Sequence, residues 1–379
     1  MSRKKVIIIG GGFAGIQVAR RLDPSLYEVT LFDKINHHQF QPLFYQVATS
    51  QIEPANISFP FRHIFRNKKH VQIRFAEVSL ISPDQNRISS GIGEFYYDIL
   101  IIATGCRTNF FGNREICKHS FPLKTTYDAI KIRNHTLKTF EKIISLKEEE
   151  REPFLNLVIV GAGATGVELA GAYAEIRKNV LPKDYHRIDF SKFQIYLVEG
   201  SRYTLNTMSN KAKTASEKYL REMGVQIFTE RFVTAYDGNI LTLNNGETIK
   251  TKTVIWAAGV TGNYINGLPH DCRTQTNRIK VDRINKVTGS DNIFAIGDIA
   301  YMETSKYPKG HPQVANVAIN QAKNLTKNLK RIFKGQSPVE YEYRDLGSMA
   351  TIGQNKAVVD RSEERRVGKE CRSRWSPYH

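Results

Sequence analysis

The sequence predicts an α/β protein in which one strand–turn–helix unit occurs twice, and three observations lead to this prediction. Short, wholly apolar runs at residues 6–9 and 157–160 are typical of central strands in a parallel sheet. Each run precedes a glycine-rich turn, at residues 10–15 and 161–166, and then a segment with helical apolar spacing. A chain of 379 residues also exceeds one compact core and suits two domains with a short extension.

Further apolar runs predict the other elements of the first copy. We expect a helix at 13–22, a strand at 29–32 ending at Asp33, strands of a small antiparallel insertion at 73–80 and 87–90, and a buried strand at 97–102. Residues 37–62 are weakly periodic and rich in aromatic side chains, so they predict a loop with short helical pieces.

The second copy follows a long amphipathic helix. A helix is predicted over 125–146, because Ile130, Leu137, Phe140 and Ile144 recur at helical intervals, and a charged linker follows it. The remaining elements that we predict are a helix at 167–178 and strands at 194–198, 254–259 and 292–298.

Composition excludes several classes of protein. Hydrophobic residues at 41% and charged residues at 24% exclude a disordered or collagen-like chain. No apolar run approaches the ~20 residues that a membrane-spanning helix needs. The 4 cysteines form no CxxC pair, so we expect no metal site and no dithiol relay of the kind that disulfide reductases use. This usage is typical of a reducing compartment.

The charge balance is unusual, with 55 Lys+Arg against 37 Asp+Glu and a net charge of +18. Such a charge favours contact with a polyanion, although a basic solvated surface explains it equally well. No RNA- or DNA-binding motif accompanies the basic residues, so we expect no nucleic-acid partner and favour an anionic membrane surface.

The first glycine turn has the spacing of a dinucleotide site. Gly10 allows the tight turn, Gly12 lets backbone approach a pyrophosphate, and Gly15 packs the helix against the strand. The helix N-terminus supplies free N–H groups for phosphate, and Asp33 can accept hydrogen bonds from a ribose.

The second turn repeats this pattern at Gly161, Gly163 and Gly166, with Glu199 in place of the acid. A carboxylate there suits a free 2′-hydroxyl and repels a 2′-phosphate, so we favour NADH over NADPH, although Arg202 could soften that repulsion. Two dinucleotide sites in one chain predict internal redox transfer between a resident flavin and a nicotinamide that comes and goes. Gly297-Asp298 could contact the ribityl chain of FAD, or could form a plain turn.

Three segments carry a resemblance to a family. They are FQPLFYQVAT at 40–49, GATGVELAG at 163–171, and PQVA with AINQA within 312–322. With the glycine turns they resemble FAD-dependent pyridine nucleotide oxidoreductases, specifically the type II NADH:quinone oxidoreductases (alternative NADH dehydrogenases), over residues 5–360.

This resemblance implies two Rossmann-like domains of the three-layer ββα type, in the glutathione-reductase-like flavoprotein architecture, the second inserted in the first. The implied parts are an FAD-binding domain at 1–115 and 271–345, an NADH-binding domain at 116–270, and the start of a membrane-association region at 346–360. We interpret residues 361–379 as a non-native, adapter-like tail.

The resemblance also implies the activity. Hydride passes from NADH to FAD, and two electrons then pass to a membrane quinone, without proton pumping. Glu168 is the implied catalytic residue, for positioning or proton handling, although a glutamate in the first turns of a helix is also favoured by the dipole alone. Phe44 and Tyr45 are candidates for lining a quinone path, or for burying the loop.

The implied contacts fall into three groups. For FAD they are Gly10, Gly12, Phe13, Ala14, Gly15, Asp33, Lys34, Pro42, Val78, Ala103, Thr104, Gly105, Gly297, Asp298 and Ala315. For NADH they are Gly161, Gly163, Thr165, Gly166, Glu168, Glu199, Ala258 and Gly259. For quinone, menaquinone or ubiquinone, they are Gln46, Gln313, Asn320 and Gln321.

Two departures from the family pattern qualify these expectations. Asn320 stands where the family usually has glutamine, which shortens the reach of the amide by one methylene and puts a direct quinone contact there in doubt. No amphipathic anchor follows Asp360, so we expect weak membrane binding by this chain and a peripheral, cytoplasmic-face location for a full-length relative. A homodimer is left open, as are two alternative functions: a reductase of a small iron–sulfur protein such as rubredoxin, and a non-catalytic redox sensor.

Overall fold

The computed structural model describes residues 3–360. Its two main sheets are parallel and have five strands each. The strands are β1 Lys4–Ile9, β2 Tyr27–Asp33, β3 His37–Gln39, β4 Ser58–Pro60, β5 Val71–Phe75, β6 Val78–Ser82, β7 Arg87–Ser90, β8 Gly93–Tyr96, β9 Ile99–Ile102, β10 Cys106–Thr108, β11 Phe121–Pro122, β12 Asn156–Val160, β13 Gln194–Val198, β14 Gln226–Phe228, β15 Val233–Tyr236, β16 Ile240–Leu243, β17 Thr248–Lys250, β18 Thr253–Trp256, β19 Val260–Gly262, β20 Ile279–Lys280, β21 Ile293–Ala295, β22 Ala300–Tyr301, β23 Ser348–Ile352 and β24 Lys356–Asp360. The α-helices are α1 Phe13–Arg21, α2 Phe44–Ala48, α3 Phe61–Ile64, α4 Arg114–His119, α5 Thr126–Ser145, α6 Ala164–Asn179, α7 Leu181–Asp184, α8 Asn210–Glu222 and α9 Ala315–Phe333.

The first compact unit comprises the described residues 3–39, 58–107 and 260–344. Its parallel sheet has the order β21-β9-β1-β2-β5. Val6 and Ile8 of β1 pack with helices α1 and α9 on one face, while Ile7 and Ile9 pack with strands β6 and β7 on the other. Because β1 is covered on both faces, its sequence is apolar at every position from Val6 onward.

Among the described residues, the second compact unit comprises 40–57, 108–259 and 345–360, and it repeats this arrangement. Its parallel sheet has the order β11-β18-β12-β13-β14. Leu157 and Ile159 pack among residues of α6, whereas Val158 and Val160 pack against the antiparallel strands β15, β16 and β17. Each unit is therefore a three-layer ββα domain, and the predicted fold class is confirmed.

The predicted antiparallel insertion is correct only in part. Strands β6, β7 and β8 form an antiparallel sheet, but β5 pairs in parallel with β2 at the edge of the main sheet. The prediction over 73–80 was therefore wrong for residues 73–75. An edge strand exposes much of its surface, as Phe75 does at 61%, so its alternation of polar and apolar residues does not reveal whether its partner is parallel.

The buried face of α5 also differs from the predicted stripe. Leu137 and Ile144 are 44% and 49% exposed, whereas Ala129, Ile132 and Ile143 are buried. Residues seven apart in a straight helix drift by about 20° per heptad, so a stripe drawn through 130, 137 and 144 leaves the core. Small buried residues on the true face, including Thr136, concealed it from a search for large apolar residues.

Residues 40–57 and 345–360 both belong to the second unit. The first of these segments contains α2, and the second contains the hairpin of β23 and β24. The chain thus divides at 39, 57, 107, 259 and 344, while the functional boundaries suggested by family resemblance, at 115, 270 and 345, stay a prediction. The interpretation of 361–379 as a non-native tail lies outside the described residues. Within residues 3–360, no helix is long and apolar enough to cross a bilayer.

Glycine at position 171 allows the hairpin to approach α6 closely. A Cβ atom at Gly171 would lie 2.7 Å from the backbone nitrogen of Gly353. We expect Gly171→Ala to lower the free energy of unfolding by about 1–3 kcal/mol through this overlap, despite the better helix propensity of alanine. Thermal melts followed by circular dichroism would measure this change.

Gly200→Ala is the control, because a Cβ atom there meets no heavy atom within 4 Å. Equal melting temperatures for Gly171→Ala and Gly200→Ala would contradict the proposed packing constraint.

Candidate functional site

The first glycine turn packs tightly against neighbouring backbone at Gly10 and Gly15 but has free space at Gly12. Gly10 has φ +103°, and a Cβ there would lie 2.4 Å from the carbonyl oxygen of Ala103. A Cβ at Gly15 would lie 1.9 Å from the carbonyl oxygen of Gly10, whereas one at Gly12 would meet nothing within 4 Å. The turn therefore leaves free space at the N-terminus of α1, where a phosphate group gains most from the helix dipole.

Asp33 at the end of β2 holds this turn. One carboxylate oxygen accepts the backbone N–H of Gly11 at 2.6 Å, and the other accepts that of Ile35 at 2.7 Å. Burial raises the pKa of Asp33, while these two backbone hydrogen bonds and the charge of Lys34 act in the opposite direction. His38 lies against the same turn, with Nδ1 3.3 Å from the carbonyl oxygen of Gly11.

Three strand ends meet beside this turn. Strands β1, β9 and β21 are neighbours in the sheet and run parallel, with Ile9 opposite Ile102 and Ile102 opposite Ala295. The turns that follow them therefore lie at one edge of the sheet, where α/β proteins bind their ligands. The structure thereby brings together the predicted groups at 10–15, 103–105 and 297–298.

The Gly297-Asp298 pair lies in a one-turn 3₁₀ helix after β21, and not at the end of the strand as predicted. Gly297 adopts φ +74°, and its N–H donates to Oε1 of Gln321 at 2.7 Å. The carbonyl oxygen of Asp298 accepts from Nε2 of Gln313 at 3.0 Å, and a carboxylate oxygen of Asp298 accepts from Sγ of Cys106 at 3.1 Å. Two of the residues predicted for quinone thus support this turn.

The other predicted FAD residues lie in the first unit, except Pro42. Ala315 is the first residue of α9, and Val78 is buried at the start of β6. Lys34 is exposed and lies 3.8 Å from a carboxylate oxygen of Glu77. Pro42 belongs to the second unit.

The residues present fit an adenine dinucleotide. The space above Gly12 admits a pyrophosphate, and Asp33 is positioned to receive a ribose. Nε2 of Gln321 is buried and has no hydrogen-bond partner among the described residues, so a polar group of a ligand can satisfy it.

The second glycine turn reproduces the first. A Cβ at Gly161 would lie 2.8 Å from Ala258, one at Gly166 would lie 1.8 Å from the carbonyl oxygen of Gly161, and one at Gly163 would meet nothing within 4 Å. Oε2 of Glu199 accepts the N–H of Ala162 at 2.6 Å. The sequence repeat is therefore also a repeat of the hydrogen bond that fixes each turn.

The rest of the predicted NADH site surrounds this turn. Oε1 of Glu199 accepts the N–H of Ser201 at 2.8 Å. Thr165 is exposed on the first turn of α6. Gly259 follows β18 with φ +71° and lies under the ring of Phe111.

Glu168 lies on the second turn of α6 and is partly buried. Burial raises its pKa to about 7, against the hydrogen bonds that Thr351 contributes from its backbone N–H, at 3.5 Å, and from its side chain. A glutamate stabilised mainly by the helix dipole would show a lowered pKa. Glu168 is therefore able to hold a proton or release it near neutral pH.

A row of hydrogen-bonding side chains extends from Glu168. The hydroxyl oxygens of Thr351 and Tyr45 lie 2.9 Å apart, and Nε2 of Gln46 donates to the Tyr45 hydroxyl at 3.1 Å. The predicted residues Glu168 and Gln46 are thus linked within the second unit. Sequence reasoning missed Thr351, because 183 residues separate it from Glu168 and no motif marks it.

Asn320 donates from Nδ2 to Oδ1 of Asn316 on the preceding turn of α9, at 3.0 Å. Its contact with a quinone stays a prediction. Within residues 3–360 no group of three or more His, Cys, Asp and Glu side chains could hold a metal ion.

Comparison with known proteins agrees with this geometry. A family profile described as pyridine nucleotide-disulphide oxidoreductase matches residues 4–322. The type II NADH:quinone oxidoreductase Ndh of Mycobacterium tuberculosis is 33% identical over 377 residues, covering 94% of this chain and 79% of that protein. The chain belongs to the type II NADH:quinone oxidoreductase family.

Other relatives of this family agree. The type II NADH:quinone oxidoreductase of Staphylococcus aureus NCTC 8325 is 28% identical, covering 94% of this chain and 89% of that protein. A solved structure of NDH2 from Plasmodium falciparum in complex with NADH superposes with a TM-score of 0.89 at 22% identity, covering 96% of this chain and 91% of that one. The sulfide:quinone oxidoreductase of Aquifex aeolicus gives a TM-score of 0.74 at 20% identity, covering 92% and 81%. The resemblance found in the sequence is confirmed, and the distant structures confirm the fold.

The raised pKa of Glu168 predicts a pH-dependent stability. An unfolded glutamate ionises near its ordinary value of 4.5, but the folded one does so only near 7, so the folded state loses stability as pH rises between these values. Glu168→Gln cannot ionise and escapes this loss, which amounts to at most about 3 kcal/mol. We expect the melting temperature of Glu168→Gln, relative to that of the wild type, to rise by several degrees when the pH is raised from 5 to 8. Calorimetry would measure both melting temperatures.

Glu217→Gln provides a matched control, since Glu217 is a partly exposed partner of Arg221 on α8. A constant difference between Glu168→Gln and wild type across this pH range would show that Glu168 ionises normally.

Proposed function

We propose that this chain transfers hydride from NADH to bound FAD and then two electrons to a membrane quinone, without pumping protons. One observation carries the proposal: a single chain holds two glycine turns, each fixed by a carboxylate and each open to a dinucleotide. Similarity to curated NADH:quinone oxidoreductases favours quinone as acceptor over a small iron–sulfur protein.

The first unit is the proposed FAD site. When bound, FAD supplies the two-electron chemistry that no protein side chain offers. Gly12 and the N-terminus of α1 would receive the pyrophosphate, and Asp33 the ribose. Asp298 would receive the ribityl chain, and the N-terminus of α9 at Ala315 would favour negative charge on the isoalloxazine ring.

The second unit is the proposed NADH site. Gly163 and the N-terminus of α6 would receive the pyrophosphate, and Glu199 the ribose. Both oxygens of Glu199 already accept backbone N–H groups, which fixes the carboxylate in place. A fixed negative charge there repels a 2′-phosphate, so NADH is the proposed donor.

Glu168 is the proposed catalytic acid. Oxidation of NADH by a quinone consumes one proton from water for each quinol formed, because NADH supplies a hydride and quinol carries two hydrogens. A carboxyl group with a pKa of about 7 delivers and recovers that proton at neutral pH with little cost in either direction. Gln46, Gln313, Asn320 and Gln321 stay as proposed quinone-side residues.

The proposed electron acceptor, a membrane quinone, implies a location for the protein in the cell. A membrane quinone requires a chain that meets the membrane surface, and we propose peripheral binding to the inner, cytoplasmic face of the cell membrane. The net charge of +18 supports attraction to anionic lipid. We propose no nucleic-acid partner, and a homodimer is compatible with this function.

Stopped-flow absorbance tests the proposed function. Anaerobic NADH should bleach the flavin of the wild-type holoprotein, NADPH should do so at least tenfold less efficiently, and a short-chain quinone should restore the colour. We expect Glu199→Gln to weaken NADH binding about tenfold, through loss of a charged hydrogen bond to the ribose, and to reduce the preference over NADPH.

Glu217→Gln makes the same change of charge on α8, outside the second glycine turn, and should leave both half-reactions unchanged. Flavin that NADH does not bleach, or that rubredoxin reoxidises faster than quinone, would refute the proposed function.

Vesicle sedimentation tests the membrane proposal. Binding should need anionic lipid and should fall several-fold between 50 and 500 mM salt, because exposed charges are screened within a Debye length of about 10 Å at 0.1 M and about 3 Å at 1 M. Equal binding to neutral and anionic vesicles would contradict an electrostatic contact.

A further inference from the structure

The hairpin of β23 and β24 is fastened to α6 and α8. The N–H of Gln354 donates to a carboxylate oxygen of Glu175 at 2.6 Å, and Nζ of Lys356 lies 2.6 Å from a carboxylate oxygen of Glu222. The close approach of Gly171 to Gly353 adds a backbone contact. These contacts hold Thr351 beside Glu168 from a distant part of the sequence.

Helix α2 approaches the same place from another side. Its residues Phe44, Val47 and Ala48 are buried in the core of the second unit, together with residues of α5 and α6. Tyr45 is only 8% exposed, and its hydroxyl meets that of Thr351. Three separate elements, α2, β23 and α6, thus supply the members of one row of hydrogen-bonding groups.

The chemistry of these groups gives the row a direction. The Nε2 group of Gln46 can only donate, so the Tyr45 oxygen accepts from it and its own O–H is free to point at Thr351. Thr351 lies beside the Glu168 carboxylate, to which its backbone N–H donates at 3.5 Å, so its O–H can turn toward the same carboxylate. Every hydroxyl in the row can therefore donate toward Glu168.

We propose that Tyr45 and Thr351 form a proton relay that reloads Glu168 during the reaction. This inference rests on the proposed function, in which Glu168 gives up one proton for each quinol formed. A water molecule then gives a proton to the Tyr45 oxygen and leaves as hydroxide, while the Tyr45 O–H bond breaks and the original Tyr45 proton passes to the Thr351 oxygen. The original Thr351 proton passes in turn to the Glu168 carboxylate. One proton enters, one reaches Glu168, and rotation of the two hydroxyls restores the row.

A purely structural role for the same hydrogen bonds makes different predictions. Hydroxyls that only fasten the hairpin would affect stability and both half-reactions together. Hydroxyls that carry a proton affect only the step that consumes it, because hydride transfer from NADH takes no proton from water. The two half-reactions can be followed separately through flavin absorbance.

The experiment uses the FAD-loaded protein and the variants Tyr45→Phe, Thr351→Val and Thr351→Ser. We expect Tyr45→Phe and Thr351→Val to slow reoxidation by a short-chain quinone at least tenfold, with bleaching by NADH within twofold of wild type. Thr351→Ser keeps the hydroxyl and should retain most of the rate. Imidazole, a small proton carrier, should partly rescue the two slow variants, and D₂O should slow wild-type reoxidation more than bleaching.

Tyr173→Phe is the matched control. Tyr173 lies on the same helix as Glu168, and its hydroxyl pairs with that of Thr136 at 3.0 Å, so this variant also breaks a buried Tyr–Thr pair. It should change neither half-reaction. Reoxidation of Tyr45→Phe and Thr351→Val within twofold of wild type, or slowing that imidazole does not relieve, would overturn the relay.

A second readout does not depend on turnover. Infrared titration of protein labelled with ¹³C-glutamate follows protonation of buried carboxyl groups, and Glu168→Gln identifies the Glu168 band. Loss of a donated hydrogen bond disfavours the carboxylate, so Thr351→Val should raise the pKa of Glu168 by half a unit or more. An unchanged pKa would show that Thr351 does not donate to Glu168.

The two proposals fail in different ways. Wild-type flavin that quinone cannot reoxidise refutes the proposed function. If quinone reoxidises the wild-type flavin normally, and reoxidises Tyr45→Phe and Thr351→Val at the wild-type rate, the relay alone is refuted.

Discussion

A carboxylate that accepts a backbone N–H from its glycine turn is the interaction on which both candidate sites depend. Asp33 holds Gly11 in the first unit, and Glu199 holds Ala162 in the second, each at 2.6 Å. The acid lies at the end of the neighbouring parallel strand, so the register of two strands sets the shape of the turn. A charged hydrogen bond of this kind is stronger than a neutral one, and it fixes an otherwise mobile glycine segment.

Burial sets the properties of Glu168, and within residues 3–360 no cation contributes to its pKa shift. A nearby lysine or arginine would keep this carboxylate ionised at every physiological pH. Desolvation alone moves its pKa to about 7, and hydrogen bonds from Thr351 limit the rise. The same burial that costs folding stability at alkaline pH makes the group useful for handling protons, a common exchange of stability for activity.

The sequence predicted the elements whose physics is local. Strands covered on both faces must be apolar throughout, and a turn against a phosphate must be glycine, so β1, β12 and both glycine turns were identified with their acids. The parallel pairing of β5 and the buried face of α5 depend on neighbours that the local pattern does not contain. The engagement of Gln321 with Gly297 and of Thr351 with Glu168 joins residues that are distant in sequence, so neither pair had a local signal.

The position of Thr351 in the chain also bears on how the protein is made. Translation proceeds from the amino terminus, and β23 is among the last of the described segments to leave the ribosome. Until it emerges, the nascent second unit has Glu168 and Tyr45 without the residue that joins them. The sheet and helices around Glu168 can condense early, but its hydrogen-bond partners are completed only once β23 has been synthesised.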